Sequence, residues 1–137
     1  MRVRDVMTTP VIAVTPAATI GEAIAVLTGK GFTSLPVVGD TGELLGVLAE
    51  EDLLRARYLS DGDPDSGVML SGRTKVSALM RRPAAGAHPD GDLTDLTAKM
   101  LERRLRSVPV LENGRVIGVI TWQDLLRAGP SAQRNQP

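Results

Sequence analysis

The sequence predicts a mixed α/β (α+β) fold made twice over, and three observations carry that expectation. The first is an internal repeat. Shifted by 73 residues, the chain pairs Met7 with Met80, Pro10 with Pro83, Pro16 with Pro89, Ser34 with Ser107 and Pro36-Val37 with Pro109-Val110. A one-residue deletion in a turn changes the offset to 72, which pairs Gly42 with Gly114, Gly46 with Gly118 and Asp52 with Asp124. A fixed period of this kind means one structural unit used again. The second observation is an apolar strand that turns straight into a helix in each copy: Gly-Val-Leu-Ala-Glu-Glu-Asp at 46–52 and Gly-Val-Ile-Thr-Trp-Gln-Asp at 118–124, both running on into Leu-Leu-Arg-Ala. The third is that each copy reads in the order strand, helix, strand, strand, helix, with an apolar face that needs cover. Two such copies can supply it to each other as a pseudo-twofold pair of β-α-β-β-α motifs in one module.

The elements follow in chain order. Arg2 to Thr8 suits one helical turn, and its counterpart runs from Lys75 to Met80 with Thr74 as its cap. Val11 to Val14 is a short extended run before Thr15-Pro16. Thr19 caps a helix and Glu22 closes the capping box, while Ile20, Ala23, Ile24 and Leu27 form its apolar face and Gly29 and Gly31 end it. Leu35 to Val38 and Leu44 to Leu48 form a hairpin about the turn at 39–42, and a helix runs from Glu50 to Leu59. Ser60 to Arg73, rich in Gly, Asp, Ser and Pro around an apolar Val68-Met69-Leu70, reads as a linker. The second copy repeats the plan: Ala84 to Ala87 extended, Asp92 capping a helix to Arg104, Val108 to Leu111, a turn at Asn113-Gly114, Val116 to Ile120, and a last helix from Trp122 to Ala128 stopped by Gly129-Pro130. The expected division is 1–59, a linker at 60–74, 75–129 and a loose polar tail at 130–137.

Composition narrows the function classes. At 137 residues the chain is one compact domain or two small halves sharing a core, and the second is expected because either half alone would bury little. Formal net charge is zero and no basic run stands out, so the footprint of a nucleic-acid binder is missing. The apolar runs fall short of a membrane span, and Met-Arg-Val-Arg-Asp lacks the core of a signal peptide. Without cysteine there is no disulfide and no thiolate metal site. A soluble cytoplasmic protein is the expectation.

Chemistry concentrates at the strand-to-helix turns. Thr121 suits an N-cap, where free backbone N–H groups point outward. Asp124, three residues on, can accept two hydrogen bonds from a vicinal diol such as ribose. The plainer alternative is that Thr121 only caps and Asp124 only complements the helix dipole. The repeated Gly-hydrophobic-x-Thr-x-x-Asp pattern, Val-Arg-Asp-Val-Met-Thr at 3–8, Val-Thr-Pro at 14–16, Leu-Pro-Val-Val at 35–38 and Val-Pro-Val at 108–110 together resemble a tandem pair of CBS (cystathionine β-synthase) domains. The resemblance covers residues 1–129. It implies a stand-alone pair with two clefts, a regulatory rather than catalytic role, and an adenosine-containing ligand: AMP, ADP, ATP or S-adenosylmethionine. It also implies a homodimer, with contacts on the helix faces Glu50–Tyr58 and Gln123–Ala128 and on the first helices, and an effector protein of unknown identity.

Carried over by resemblance, one cleft uses Val119, Thr121, Gln123 and Asp124 with Ile12, Thr33, Ser34 and Pro36. Asp124 takes the ribose hydroxyls, Thr121 the ribose or phosphate side, the Ile12 backbone the adenine edge, and Pro36 the ring face. The other uses Val47 and Asp52 with Ala85, Arg106, Ser107 and Pro109, Arg106 reaching a phosphate. Ala49 stands where the pattern wants Thr or Ser, and Glu50-Glu51 repel an anion there, so the Asp52 cleft is expected to be the weaker.

Two rivals stand beside this reading. An enzyme would need a positioned acid–base pair, and the only histidine, His88, sits before Pro89 with no evident partner. Ser34 and Ser107 share a repeated context that points to a fold role, and Glu50, Glu51 and Asp52 fan around one helical turn. No catalytic residue and no metal site is therefore expected. A ligand-free structural or protein-interaction module is the second rival, and Trp122, the single tryptophan, is either packing or a stacking surface.

Overall fold

The computed structural model describes residues 1–59, 73–82 and 86–128. The linker with its apolar island, Ala84, the Gly129-Pro130 stop and the tail lie outside the described residues. The chain divides into two compact units, and these are not the two sequence repeats. Unit one comprises Met1–Val11 and Ala85–Pro137, and unit two comprises Ile12–Ala84. The opening segment of each repeat thus belongs to the unit built on the body of the other.

Unit two begins its regular structure with α1, Ile20–Lys30. Its start is the expected capping box: Thr19 Oγ1 accepts from Glu22 N at 3.1 Å, and Glu22 Oε1 accepts from Thr19 N at 3.2 Å. Gly31 closes the helix in the left-handed conformation at φ 70°, which a glycine adopts without steric cost. β1, Ser34–Val38, pairs antiparallel with β2, Leu44–Ala49, with a register shift after Val37. α2, Glu50–Tyr58, follows without a loop. The expected strand Val11–Val14 contracts to Val14, which alone bridges β1, parallel at Val37. On the other edge Arg81 bridges Val47 of β2, antiparallel. Both edges of this short hairpin are therefore covered. The turn expected at 75–80 is a 3₁₀ turn at Val76–Ala78 capped at Lys75; Thr74 instead receives Ile20 N on its carbonyl at 2.7 Å.

Unit one repeats the arrangement. A 3₁₀ turn at Val3–Asp5 opens the chain. α3 runs Leu93–Glu102, with Asp92 capping through Asp95 N at 3.0 Å. It stops short of the expected Arg104, which turns left-handed at φ 55° while Leu105 N reaches back to Met100 O. β3, Ser107–Glu112, and β4, Arg115–Thr121, form a hairpin closed by Asn113-Gly114, both at positive φ as a two-residue turn requires. α4 is Trp122–Arg127. Ala87 bridges Val110, parallel, and Thr8 bridges Val119, antiparallel, so each hairpin is flanked in the same way.

The exchange of opening segments is written into both cores. Unit two buries Ile20, Ala23, Leu27, Leu35, Val37, Leu48 and Leu53 around Val76 and Met80. Unit one buries Leu93, Leu96, Met100, Val108, Val110 and Ile120 around Val3 and Ala87. With few aromatics, aliphatic side chains do the filling, each contributing about 1.5–3 kcal/mol when fully buried. Val3 and Val76 are 1% and 0% exposed, which ties each opening segment to its unit.

Candidate functional site

In each unit a strand delivers a carboxylate to the first turn of a helix. In unit one the device is a capping box: Thr121 Oγ1 accepts from Asp124 N at 3.1 Å, and Asp124 Oδ2 accepts from Thr121 N at 2.9 Å. Two more donors reach Asp124 Oδ1, the Thr8 hydroxyl at 2.8 Å and Arg127 Nη2 at 2.6 Å. The Asp124 side chain is 4% exposed, whereas Arg127 is 67% exposed. A carboxylate offers about four acceptor directions. Three are occupied here.

Thr8 is in place because its backbone exchanges two hydrogen bonds with Val119, Thr8 N to Val119 O at 2.8 Å and Val119 N to Thr8 O at 3.2 Å. The approach is close because Gly118 has no side chain: a Cβ there would stand 2.6 Å from Met7 Sδ. Gly46 plays the same part in unit two, where a Cβ would stand 2.8 Å from the Arg81 carbonyl oxygen. The repeated glycine at the head of the motif is thus a docking groove for the opening segment.

In unit two the position equivalent to Thr8 is Arg81, one residue after the equivalent Met80. Arg81 Nε donates to both oxygens of Asp52, at 3.0 and 2.8 Å, and Nη2 donates to Asp52 Oδ1 and Glu51 Oε1, each at 2.9 Å. The hydrogen bond to Asp52 holds the guanidinium above its ordinary pKa, burial opposing. Ala49 caps α2 without a side-chain hydrogen bond. Glu51 and Asp52, expected only to fan outward, converge on this one cation.

The residues singled out from sequence divide between the units. Unit one holds Val119, Thr121, Gln123 and Asp124 together with Arg106, Ser107 and Pro109: Ser107 stands opposite Thr121, Pro109 opposite Val119, and Trp122 N donates to Arg106 O at 3.1 Å. Unit two holds Val47 and Asp52 with Ile12, Thr33, Ser34 and Pro36: Ser34 faces Ala49, Pro36 faces Val47, and Glu50 N donates to Thr33 O at 2.9 Å. Ile12 packs against the unit-two core. Ala85 lies outside the described residues. Trp122 is 36% exposed and Gln123 is exposed, the two residues between Thr121 and Asp124 in the first turn of α4. Sequence reasoning did not find Thr8 and Arg81 as partners of the two aspartates, although both follow a repeat-matched methionine.

Unit two also has a groove of about 460 Å³ between α1 and α2, lined by Ile24, Leu27, Phe32, Leu53, Leu54 and Arg57 among others. Asp52 does not line it. His88 is exposed, and its Nδ1 accepts from Asp90 N at 3.0 Å, a local turn contact. Among the described residues no group of three or more His, Cys, Asp or Glu could hold a metal ion, and no helix is long and apolar enough to cross a membrane.

Two similarly built hairpin-and-helix units that exchange their opening segments, each presenting a helix-start carboxylate, define a paired-repeat α+β domain. A model of the CBS domain matches residues 3–59 and 76–131, and the chain belongs to that family. The CBS domain-containing protein YhcV of Bacillus subtilis (strain 168) is 28% identical over 123 residues, 90% of this chain and 81% of YhcV. The A-adding tRNA nucleotidyltransferase of Aquifex aeolicus (strain VF5) is 25% identical over 93% of this chain, which spans only 14% of that enzyme. Among solved structures, CBSX2 in complex with AMP superposes with a TM-score of 0.83 at 28% identity, covering 97% of this chain and 98% of that one. The CBS domain pair of protein MJ0100, in complex with 5′-methylthioadenosine and S-adenosyl-L-methionine, gives 0.77 at 26% identity, covering 93% and 94%.

Proposed function

We propose that this chain is a regulatory module that binds an adenosine-containing ligand, AMP, ADP, ATP or S-adenosylmethionine, and acts on a separate effector protein. Family membership and two related structures holding such ligands support the reading. The observation that carries it in this chain is the state of Asp124. Its carboxylate is fixed by Thr121 N and Thr8, and one acceptor direction remains. A ribose diol needs two. The second comes free when Arg127, whose side chain is 67% exposed, swings away, and because Asp124 is 4% exposed the incoming hydroxyl must replace the hydrogen bond that Arg127 gives up. Thr121 and Gln123 flank the carboxylate on the same helix start, and exposed Arg106 precedes Ser107, which stands opposite Thr121, as a cation for a phosphate. The Asp52 start, with Ala49 at its cap and Glu50 and Glu51 beside it, is the weaker of the two.

The module acts in the cytoplasm as a homodimer, with α2 and α4 supplying the contact. Leu54 and Tyr58 on α2 are 55% and 70% exposed, and Leu54 also lines the α1–α2 groove; Leu126 on α4 is 76% exposed. A second reading, a ligand-free interaction module, has its own observation: both aspartates already hold internal partners.

Titration calorimetry and Trp122 fluorescence with AMP, ATP and S-adenosylmethionine test the reading. A saturable response is expected, lost in Asp124→Ala and kept in Asp52→Ala. No response at millimolar ligand favours the interaction module, and equal loss in both variants removes the asymmetry.

A further inference from the structure

The two repeats place different side chains at one structurally identical position, and the difference falls on the carboxylate that the ligand reading uses. Thr8 and Arg81 each follow a methionine packed over the strand glycine. Each is clamped by the same two backbone hydrogen bonds, to Val119 and to Val47, with matching lengths of 2.8 and 3.2 Å. Their side chains therefore start from equivalent points beside Asp124 and Asp52. Thr8 gives its aspartate one neutral hydroxyl donor at 2.8 Å. Arg81 gives a charged fork that touches both Asp52 oxygens and then Glu51.

We propose that Arg81 is an internal competitor for Asp52, which holds the second helix start closed to a ribose diol and makes unit two the silent half of the module. The inference rests on the adenosine reading and goes beyond it by naming the side chain that sets the two halves apart.

A diol offers neutral O–H donors, and charge-assisted, forked N–H donors to a carboxylate are about twice as strong. Arg81 cannot yield by shifting its backbone, because its N and O are both committed to Val47. Removing the guanidinium by rotation leaves Asp52 beside Glu51, which then keeps only its exposed pair with Arg55 at 3.6 Å, in a first turn that also holds Glu50, so the outward rotamer is opposed by like-charge repulsion. Arg127, which also touches Asp124, makes a single contact to that carboxylate, from the next turn of its own helix, and its side chain is 67% exposed against 49% for Arg81.

The test compares Ala49→Thr with the double variant Ala49→Thr/Arg81→Thr, titrated calorimetrically with adenosine, which carries no phosphate and isolates the diol. Both variants regain the cap hydroxyl, so they differ only in the proposed competitor. The double variant is expected to take one more adenosine per chain than Ala49→Thr, or to bind at Asp52 about tenfold more tightly. Adding Asp52→Asn to it should remove the gain. Arg81→Gln in the Ala49→Thr background repeats the comparison with a side chain of similar reach, should the threonine variant have a lowered thermal midpoint. Equal binding by the single and double variants overturns the assignment, as does a gain from Ala49→Thr alone. A wild-type chain that binds no adenosine overturns the functional reading separately, because the present comparison is scored on the difference between variants.

Discussion

Replacing Gly46 by alanine should cost far more than the same change at its repeat partner Gly118, although both glycines are buried in equivalent strands. At Gly46 the added Cβ would lie 2.8 Å from the Arg81 carbonyl oxygen and 3.0 Å from Met80 Sδ. Ordinary contact begins near 3.4 Å, so the Arg81 backbone must retreat by about 0.6 Å. That carbonyl accepts Val47 N at 3.2 Å, already long, and the retreat breaks the bond. A lost backbone bond costs about 1 kcal/mol, and overpacking adds about 1–3 kcal/mol. The lower chain entropy of alanine returns about 0.5–1 kcal/mol. The net is a loss of about 2 kcal/mol, seen as a fall in Tm of about 8 °C for a chain of this size. At Gly118 the Cβ meets Met7 Sδ at 2.6 Å and Cγ at 2.9 Å, which a change of rotamer relieves for about 0.5–1.5 kcal/mol, and Met7 Cβ at 3.2 Å, which need give only slightly. The entropy gain offsets much of it, so the expected change is under about 1 kcal/mol. Urea unfolding of both variants measures the difference. Equal destabilisation, or a neutral Gly46→Ala, would refute the argument that backbone proximity of the opening segment is what these glycines protect.

Arg104→Gly should stabilise the chain by up to about 1 kcal/mol, because a left-handed residue at φ 55° pays a Cβ penalty that glycine, present at the equivalent Gly31, escapes. Thermal unfolding at fixed protein concentration checks it. Arg4, donating through Nε at 2.9 Å, holds the Asp90 carboxyl below its ordinary 3.8. A depressed carboxyl contributes its stability above the unfolded value and loses it as pH falls through the folded one. The stability gap between wild type and Asp90→Asn should therefore be constant near neutrality and close below about pH 3.8, which urea midpoints across pH will follow. Leu54→Glu, placing charge on a 55% exposed apolar position of α2, should shift the proposed homodimer toward monomer in sedimentation velocity with its fold intact. An unchanged dimer would move the interface elsewhere.

Much of this architecture is legible from the order of residues alone. The repeat offsets, the Thr19-Glu22 and Thr121-Asp124 capping pairs, the Asn113-Gly114 turn and the strand-to-helix junctions are local features, set by neighbours within a few residues, and they stand in the structure where spacing puts them. Helix ends were less legible. Arg104 leaves α3 although its side chain carries no stop signal, because the chain must reverse into β3 there.

What no local pattern contains is which repeat body each opening segment joins. Val3 and Val76 fit either core by size and hydropathy, and only the three-dimensional path of the chain decides that each is buried with the other copy. The same path brings Thr8 to Asp124, 116 positions away, and Arg81 to Asp52, 29 positions away. Sequence places a carboxylate at each helix start. Whether that carboxylate meets a hydroxyl or a guanidinium depends on contacts between distant segments, and such contacts exist only once the chain has closed on itself.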